Sequence, residues 1–228
     1  MLEFLLIDLD DTILDFKKAE KLALSKTLQH FGMEPTQAVC ARYSQINRAH
    51  WQMLERGEIT RAQVLLGRFE RLFAELGVEA DPAAIAADYE HNLSIGHFFL
   101  PGAEAALERL HGKYKLYLAS NGTAKVQAGR LESANIRRYF EEVFISQLLR
   151  ADKPSPEFFD KCFARIPGFV KEKAMMVGDS LTSDMLGGKN AGIATCWVNP
   201  EHKKAPESLQ PDYTIERLEQ LPVLLEGI

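Results

Sequence analysis

Hydrophobic and polar positions change their spacing twice along this chain. Residues 4–9 form a short, nearly continuous apolar run, which is typical of a strand covered on both faces. From about residue 16 to residue 98, apolar residues recur at the three- and four-residue spacing of a helix. Beyond Pro101 and Gly102, short apolar runs alternate with amphipathic stretches. The pattern therefore predicts a strand, a helical block and an alternating α/β region.

The helical block divides into roughly four helices. Breaks fall at residues 32–35, at Gly57 and at residues 77–82, where glycine and proline interrupt the pattern. Thr60 and Asp81 stand before the third and fourth helices, and both residue types are favoured N-caps.

The alternating region predicts a parallel sheet wrapped by helices. The expected strands are 115–120, 143–146, 174–178, 194–198 and 213–215, and the expected helices are 103–110, 124–134, 156–165 and 183–190. The simplest arrangement is an α/β core made from the two chain ends, residues 1–15 and 99–228. A helical domain, residues 16–98, is then inserted after the first strand.

Composition and charge exclude several classes of protein. Of the 228 residues, 46% are hydrophobic and 26% are charged, which is ordinary for a globular chain. The 27 basic and 32 acidic residues give a net charge of −5, with no basic block, so we expect neither a nucleic-acid polymer nor a membrane as partner. Apolar runs are shorter than the roughly 20 residues that span a bilayer. The N-terminal residues are expected to be a strand, not a signal peptide.

The cysteines give an indication of compartment. Cys40, Cys162 and Cys196 are odd in number and far apart, which fits neither a disulfide framework nor a zinc site. A reducing cytoplasm is the expected location.

Acidic residues follow two of the predicted strands. Asp8 and Asp10 close the first strand and point to the same side of an extended backbone. Asp179 and Asp184 follow the strand at 174–178. A lone Asp-x-Asp is usually only a turn, but two such strand ends together can hold a hard dication. Mg²⁺ is expected over zinc, because no histidine or cysteine is near in sequence.

Two further strand ends carry groups that suit a phosphate. Ser120, Asn121 and Gly122 offer a hydroxyl and backbone amides at a turn that leads into a helix. Lys153 precedes a proline-stiffened loop. Taken singly, the Ser-Asn-Gly segment describes a capped turn equally well, and a lone lysine is usually solvated surface.

In chain order the four strand ends read Asp-x-Asp-x-Thr, Ser, Lys-Pro and Gly-Asp-x4-Asp. This order resembles the four motifs of the haloacid dehalogenase superfamily, and the helical block resembles its first type of cap. The resemblance implies a Rossmann-like parallel sheet core with an inserted four-helix cap. It also implies roles for the motif residues: Asp8 as nucleophile, Asp10 as general acid/base, Ser120 and Lys153 as phosphoryl binders, Leu9, Asn121 and Gly122 as substrate contacts, and Asp8, Asp10 (through its carbonyl), Asp179 and Asp184 as magnesium ligands.

The acids also separate phosphatases from dehalogenases within the superfamily. The resemblance implies that a dehalogenase lacks an acid at position 10 and needs no magnesium. Because Asp10, Asp179 and Asp184 are all present, a magnesium-dependent phosphomonoesterase with an aspartyl-phosphate intermediate is expected.

The cap is similar to that of the bacterial pyrimidine 5′-nucleotidase subgroup, at residues 47–51, 57–60 and 67–70, with core likeness at 187–192 and 194–197. The resemblance implies a pyrimidine nucleoside 5′-monophosphate as substrate. Asn47, Arg48, Trp51 and Arg68 could then reach the base or the sugar. The alternative is that Trp51 anchors the cap core and the arginines are solvated. One departure is Asp152, where many relatives carry a small residue; its charge could temper that of Lys153, or the loop could point it outward.

Other functions remain open from sequence. The same site would suit a sugar-phosphate or phosphoglycolate phosphatase. A phospho-receiver domain uses similar groups in another order and has no large cap, and a non-catalytic binding protein would not need every catalytic side chain. The expected partner is a small phosphorylated metabolite, and the chain is expected to be a monomer or weak homodimer.

Overall fold

The computed structural model describes all residues, 1–228, and its centre is one parallel sheet. Six strands lie in the order β3-β2-β1-β4-β5-β6, and every neighbouring pair is parallel. The strands are β1 (Phe4–Ile7), β2 (Lys115–Ser120), β3 (Glu142–Ile145), β4 (Ala174–Gly178), β5 (Ala194–Val198) and β6 (Tyr213–Ile215). The predicted parallel sheet is confirmed, although β1 ends two residues earlier than the apolar run does.

Ten α-helices surround or extend this sheet. They are α1 (Phe16–His30), α2 (Gln37–Glu55), α3 (Arg61–Leu76), α4 (Pro82–Ser94), α5 (Ala103–Leu110), α6 (Ala124–Ser133), α7 (Ser146–Leu149), α8 (Pro156–Phe163), α9 (Leu186–Ala191) and α10 (Leu221–Glu226). The helix predicted over 183–190 starts earlier, as a π-helical turn at Leu181–Met185 that Ser180 caps. The sequence patterns did not predict α7 and α10, which are only four and six residues long.

Both predicted N-caps are present. The Thr60 side chain accepts a hydrogen bond from the backbone amide of Gln63. The Gln63 side chain in turn accepts one from the backbone amide of Thr60, which completes a capping box. The Asp81 side chain accepts from the Ala83 amide at the start of α4. These caps fix where α3 and α4 begin.

Alternation along β1 builds a core on each face of the sheet. Leu5 and Ile7 point into one apolar cluster, and Phe4 and Leu6 point into the other. A third cluster lies mainly in the four-helix block, where α1 packs on α4 and α2 packs on α3, and Val126 of α6 joins it from the core. The four-helix block is therefore packed around an apolar centre of its own.

The two segments that join the four-helix block to the sheet run side by side. The Asp15 amide donates to the Phe98 carbonyl over 2.7 Å, and the Leu100 amide donates to the Ile13 carbonyl over 3.0 Å. Since α1–α4 lie between β1 and β2 in sequence, this arrangement fits the predicted insertion, whose bounds at residues 16 and 98 stay a prediction. No helix of the chain combines the length and the apolarity needed to cross a membrane.

Candidate active site

The carboxyl ends of three adjacent strands open into one cavity of about 570 Å³. Asp8 follows β1, Ser120 ends β2, and Asp179 follows β4. Because β1 lies between β2 and β4, these residues meet at one edge of the sheet, where parallel sheets bind ligands. Lys153, which comes from the loop before α8, also lines the cavity. The structure thus brings the four predicted strand-end motifs together.

Lys153 is a buried cation held between two carboxylates. Its Nζ donates to Oδ1 of Asp8 over 2.8 Å, to Oδ1 of Asp184 over 2.6 Å and to the Ala119 carbonyl over 2.7 Å. Burial alone would lower the pKa of Lys153, but the charges of Asp184 and Asp8 outweigh it and hold the pKa above its usual value. Lys153 is therefore charged at neutral pH and ready to neutralise an anion.

Three carboxylates form a compact group beside this lysine. One oxygen from each of Asp8, Asp179 and Asp184 lies within 4.8 Å of the others. Burial, together with the neighbouring acids, raises the pKa of Asp8 to about 8 and raises that of Asp179 well above its usual value. Buried carboxylates that repel each other and carry only oxygen donors fit Mg²⁺, which would relieve the repulsion.

The side chain of Asp10 lies outside that three-carboxylate group. Its carboxylate pairs with Arg130 and accepts from Nε2 of Gln127 over 2.6 Å. Both partners lie on α6, three residues apart and therefore on one helix face. With its side chain engaged there, Asp10 could meet the metal only through its carbonyl, and that ligation stays a prediction.

Sequence patterns did not single out Gln127 and Arg130. Both are buried, at 1% and 0% exposure. Arg130 Nε donates to the Gly96 carbonyl over 3.1 Å, so Arg130 also joins Asp10 to the chain segment that returns from the helical block. Nη2 of Arg130 and Oε1 of Gln127 have no partner within the chain. The available signal was a Gln-x-x-Arg pair on a short helix directly after the phosphate-type turn.

Hydrogen bonds from its own side chains fix the predicted phosphate-binding loop at residues 120–122. Oγ of Ser120 accepts from the Gly122 amide over 3.1 Å and from Nε2 of Gln127 over 2.8 Å. The Asn121 side chain exchanges two 2.9 Å bonds with the backbone of Lys153. A side chain at Gly122 would overlap Gln127, which explains the glycine. The Leu9 side chain belongs to the apolar core, so any contact from Leu9 to a ligand would come from its backbone.

On the opposite wall, the helical block presents a buried polar network. Arg68 is 2% exposed and donates from Nη1 to Oδ1 of Asn47 over 3.0 Å, and Nδ2 of Asn47 donates to Oε1 of Glu20 over 2.7 Å. The expectation that the arginines are solvated is thus wrong for Arg68, because Asn47 and the ring of Tyr89, 4.9 Å away, receive its guanidinium. Arg48 is exposed, as that alternative expected. Glu20 was not predicted from the sequence, because it is one of several charged residues on α1 and its partners lie on α2.

The structure also places Trp51 and Asp152, for which the sequence left alternatives open. Trp51 is half-buried, lines the cavity and stays outside the apolar cluster of the helical block. The carboxylate of Asp152 pairs with Arg61 of α3. The possibility that Asp152 tempers the charge of Lys153 is therefore not the arrangement found, because the lysine faces Asp8 and Asp184 instead.

Comparison with known proteins shows which family this chain belongs to and which proteins it is similar to. The family model for haloacid dehalogenase-like hydrolases matches residues 5–198. The chain is 41% identical over 220 residues to the pyrimidine 5′-nucleotidase PynA of Streptococcus pneumoniae, which covers 96% of this chain and 93% of that protein. It is 31% identical over 223 residues to the pyrimidine 5′-nucleotidase YjjG of Escherichia coli, covering 98% and 97%. The crystal structure of the HAD-hydrolase YfnB from Bacillus subtilis bound to magnesium has a TM-score of 0.94 at 38% identity and covers 98% of both chains.

Proposed function

The chain belongs to the haloacid dehalogenase-like hydrolase family, and from that premise we propose that it is a Mg²⁺-dependent phosphatase that converts pyrimidine nucleoside 5′-monophosphates into nucleosides and inorganic phosphate. The observation that carries the proposal is the single cavity. Its floor holds Asp8, Asp10, Lys153 and the acids after β4, and its far wall is the polar network around Asn47. A phosphate on the floor would place its leaving group against that wall.

Asp8 is the proposed nucleophile. An oxygen of its carboxylate attacks phosphorus, the bond from phosphorus to the leaving oxygen breaks, and an aspartyl phosphate forms. Lys153 holds that carboxylate in place through its 2.8 Å hydrogen bond. Water then attacks phosphorus, the bond to Asp8 breaks, and inorganic phosphate leaves.

Asp10 is the proposed general acid and base. In the first step it gives a proton to the oxygen of the leaving nucleoside, and in the second it takes a proton from the attacking water. Arg130 and Gln127 fix the position of its carboxylate. Because protonation of the leaving oxygen matters most for a poor leaving group, an alkyl ester such as a nucleotide depends strongly on this residue.

The charge of the transferred phosphoryl group is met by the remaining groups of the floor. Lys153, the Ser120 hydroxyl and the backbone at Asn121 and Gly122 bind its oxygens. Asp8, Asp179 and Asp184, with the carbonyl of Asp10, would hold a magnesium ion, which would supply further positive charge to polarise a phosphoryl oxygen.

The nucleoside is proposed to bind against the helical block. The half-buried ring of Trp51 offers a face for the base. Asn47 presents an amide whose orientation is set by Glu20 and Arg68, and Arg48, which also lines the cavity, is the proposed contact for the sugar. The proposed form is a monomer or weak homodimer, and the three unpaired, buried cysteines suit the cytoplasm.

The experiment that tests this function is a substrate panel with excess Mg²⁺. Uridine, thymidine and cytidine 5′-monophosphates should give higher kcat/KM than ribose 5-phosphate, phosphoglycolate and purine nucleotides. Removal of Mg²⁺ by chelation should stop phosphate release with every ester. A panel in which sugar phosphates equal or exceed the pyrimidine nucleotides would overturn the substrate assignment and leave the phosphatase chemistry standing.

A further inference from the structure

Arg61 reaches from the helical block into the core. It is the first residue of α3, directly after the Thr60 cap that fixes the start of that helix. Its side chain is only 14% exposed. Burial holds the pKa of Arg61 below its usual value, and the carboxylate of Asp152 offsets only part of that effect. An arginine stays charged in a protein, so this buried cation needs partners.

All three hydrogen-bond acceptors of Arg61 belong to the core. Nη1 donates to the Asn121 carbonyl over 2.6 Å, and Nη2 donates to Oγ of Ser146 over 2.5 Å and to the carboxylate of Asp152. One side chain of the helical block therefore binds the loop after β2, the first residue of α7 and the loop between α7 and α8. Charge-assisted bonds of this kind are stronger than neutral ones.

Two of those segments carry the phosphate-binding groups. Asn121 follows Ser120, and Asp152 directly precedes Lys153. The Asn121 side chain already bonds the Lys153 backbone in both directions. Arg61 holds the same two loops from the other side, through the Asn121 carbonyl and the Asp152 carboxylate.

The connection between α2 and α3 contacts the core at its other end as well. The Thr182 hydroxyl donates to Oε2 of Glu55 over 2.8 Å, and Thr182 lies in the turn that carries Asp184. Arg61 also lies over the ring of Trp51, with 5.5 Å between its guanidinium carbon and the ring centroid. The same residue thus contacts both the proposed base platform and the phosphate loops.

We propose that Arg61 is a positioning residue for phosphoryl binding, through which the helical block holds the Asn121 and Lys153 loops in their binding geometry. This inference rests on the proposed phosphatase function. Arg61 touches no reacting atom and acts through Asn121 and Asp152. Affinity for the phosphate group, with or without a nucleoside attached, then depends on this one side chain.

The test measures phosphate binding directly. In the Arg61→Ala variant, the dissociation constant of inorganic phosphate with Mg²⁺, measured by calorimetry, should rise about 10- to 100-fold, the effect of losing charge-assisted hydrogen bonds. The kcat/KM for uridine 5′-monophosphate and for ribose 5-phosphate should fall by a similar factor. Millimolar guanidinium should restore part of both, because it can occupy the vacated site, and Arg61→Lys should be intermediate.

The matched control is Arg56→Ala. Arg56 lies on the same α2–α3 connection, but its guanidinium bonds only Glu58 of that connection, so this variant should match the wild type within about twofold. Asp152→Asn should weaken phosphate binding in the same direction as Arg61→Ala, and the double variant should lose less than the sum of both. An unchanged phosphate dissociation constant in folded Arg61→Ala protein, or a loss that neither guanidinium nor lysine relieves, would overturn the proposal. If the wild type hydrolyses no ester, the proposed function fails, while phosphate binding still decides the role of Arg61.

Discussion

Arg130 donates from Nη1 to the carboxylate of Asp10, although 120 residues separate them along the chain. Arg130 is fully buried, and its Nε is fixed on the Gly96 carbonyl. The proposed acid/base is therefore aimed by a core helix that also contacts the segment returning from the helical block. This arrangement makes the geometry of proton transfer depend on a residue outside the four family motifs.

Arg130→Lys should impair esters with poor leaving groups selectively, because lysine keeps the charge but cannot bond Gly96 and Asp10 together. We expect kcat/KM for a nucleoside 5′-monophosphate to fall about 10- to 100-fold. This is less than the full contribution of general acid catalysis, about 10²- to 10⁴-fold, because Asp10 itself is kept. The kcat/KM for an activated aryl phosphate, whose leaving group needs little protonation, should fall less than about threefold. Lys125→Ala, an exposed change on the same helix, is the control. Equal losses on both esters would show that Arg130 does not act through Asp10.

Asp8→Asn should abolish turnover while the fold is kept. An amide cannot form the acyl phosphate, so the loss should be on the order of 10⁵-fold or more, as for other covalent nucleophiles. Since burial already raises the pKa of Asp8 to about 8, a neutral side chain suits the site, and Lys153 keeps its bond to Asp184. Thermal unfolding should confirm a folded variant, and Mg²⁺-dependent phosphate release from it would contradict the role of Asp8.

Binding of Mg²⁺ should weaken as the pH falls below about 8. The pKa of Asp8 is raised to about 8, mainly by burial, so below that pH the metal-free carboxyl holds a proton that the cation must displace. The apparent affinity should then drop by up to about tenfold per pH unit for each displaced proton. Calorimetry from pH 6 to pH 9, in buffers of different ionisation enthalpy, measures both the affinity and the protons released. A flat profile across that range would show that Asp8 is already ionised before the cation arrives.

Much of the site was accessible from sequence because its motifs are local. Asp8 and Asp179 each follow an apolar strand directly, Ser120 is the last residue of another, and the carboxyl ends of neighbouring parallel strands lie at one edge of the sheet. The pairings that orient these groups were not accessible in the same way. Arg61 pairs with Asp152, 91 positions away in sequence, and Arg130 pairs with Asp10, 120 positions away. The local sequence around a polar residue on a helix does not show whether that residue will be buried against a distant partner.

The fold shows the same division. The strands and the helix N-caps at Thr60 and Asp81 were predicted well, because strand alternation and N-cap chemistry are properties of a few consecutive residues. The four-residue helix α7 is shorter than two helical turns, so it leaves no periodic pattern to detect. The network of Glu20, Asn47 and Arg68 likewise depends on how α1, α2 and α3 pack, and not on any one of them.

Glu20→Gln should make the helical block less sensitive to pH. Burial raises the pKa of Glu20 from its usual 4.5, although Ser44 and Asn47 donate to its carboxylate. A raised carboxyl pKa means that the folded state binds the proton more tightly, so stability is lost as the pH rises from 4.5 through the folded pKa. The variant lacks this loss, and its stability relative to the wild type should increase over that window. Urea unfolding of both proteins between pH 4.5 and pH 8 checks the difference, and a relative stability that falls with rising pH would contradict it.

Gly178→Ala should damage the acidic cluster without touching a charged residue. Gly178 ends β4, and a methyl group there would overlap the carboxylate of Asp184. Asp184 is 1% exposed and is held by Lys153 and by the Ser180 amide, so it has no room to yield. The displaced Asp184 carboxylate would move away from Asp8 and Asp179. We therefore expect the Mg²⁺ dissociation constant to rise at least about tenfold, the effect typical of changing a residue that orients a metal ligand. Gly227→Ala is the matched control, since a methyl group there meets nothing nearer than 3.5 Å. Unchanged Mg²⁺ affinity in Gly178→Ala would mean that Asp184 is not among the metal's ligands.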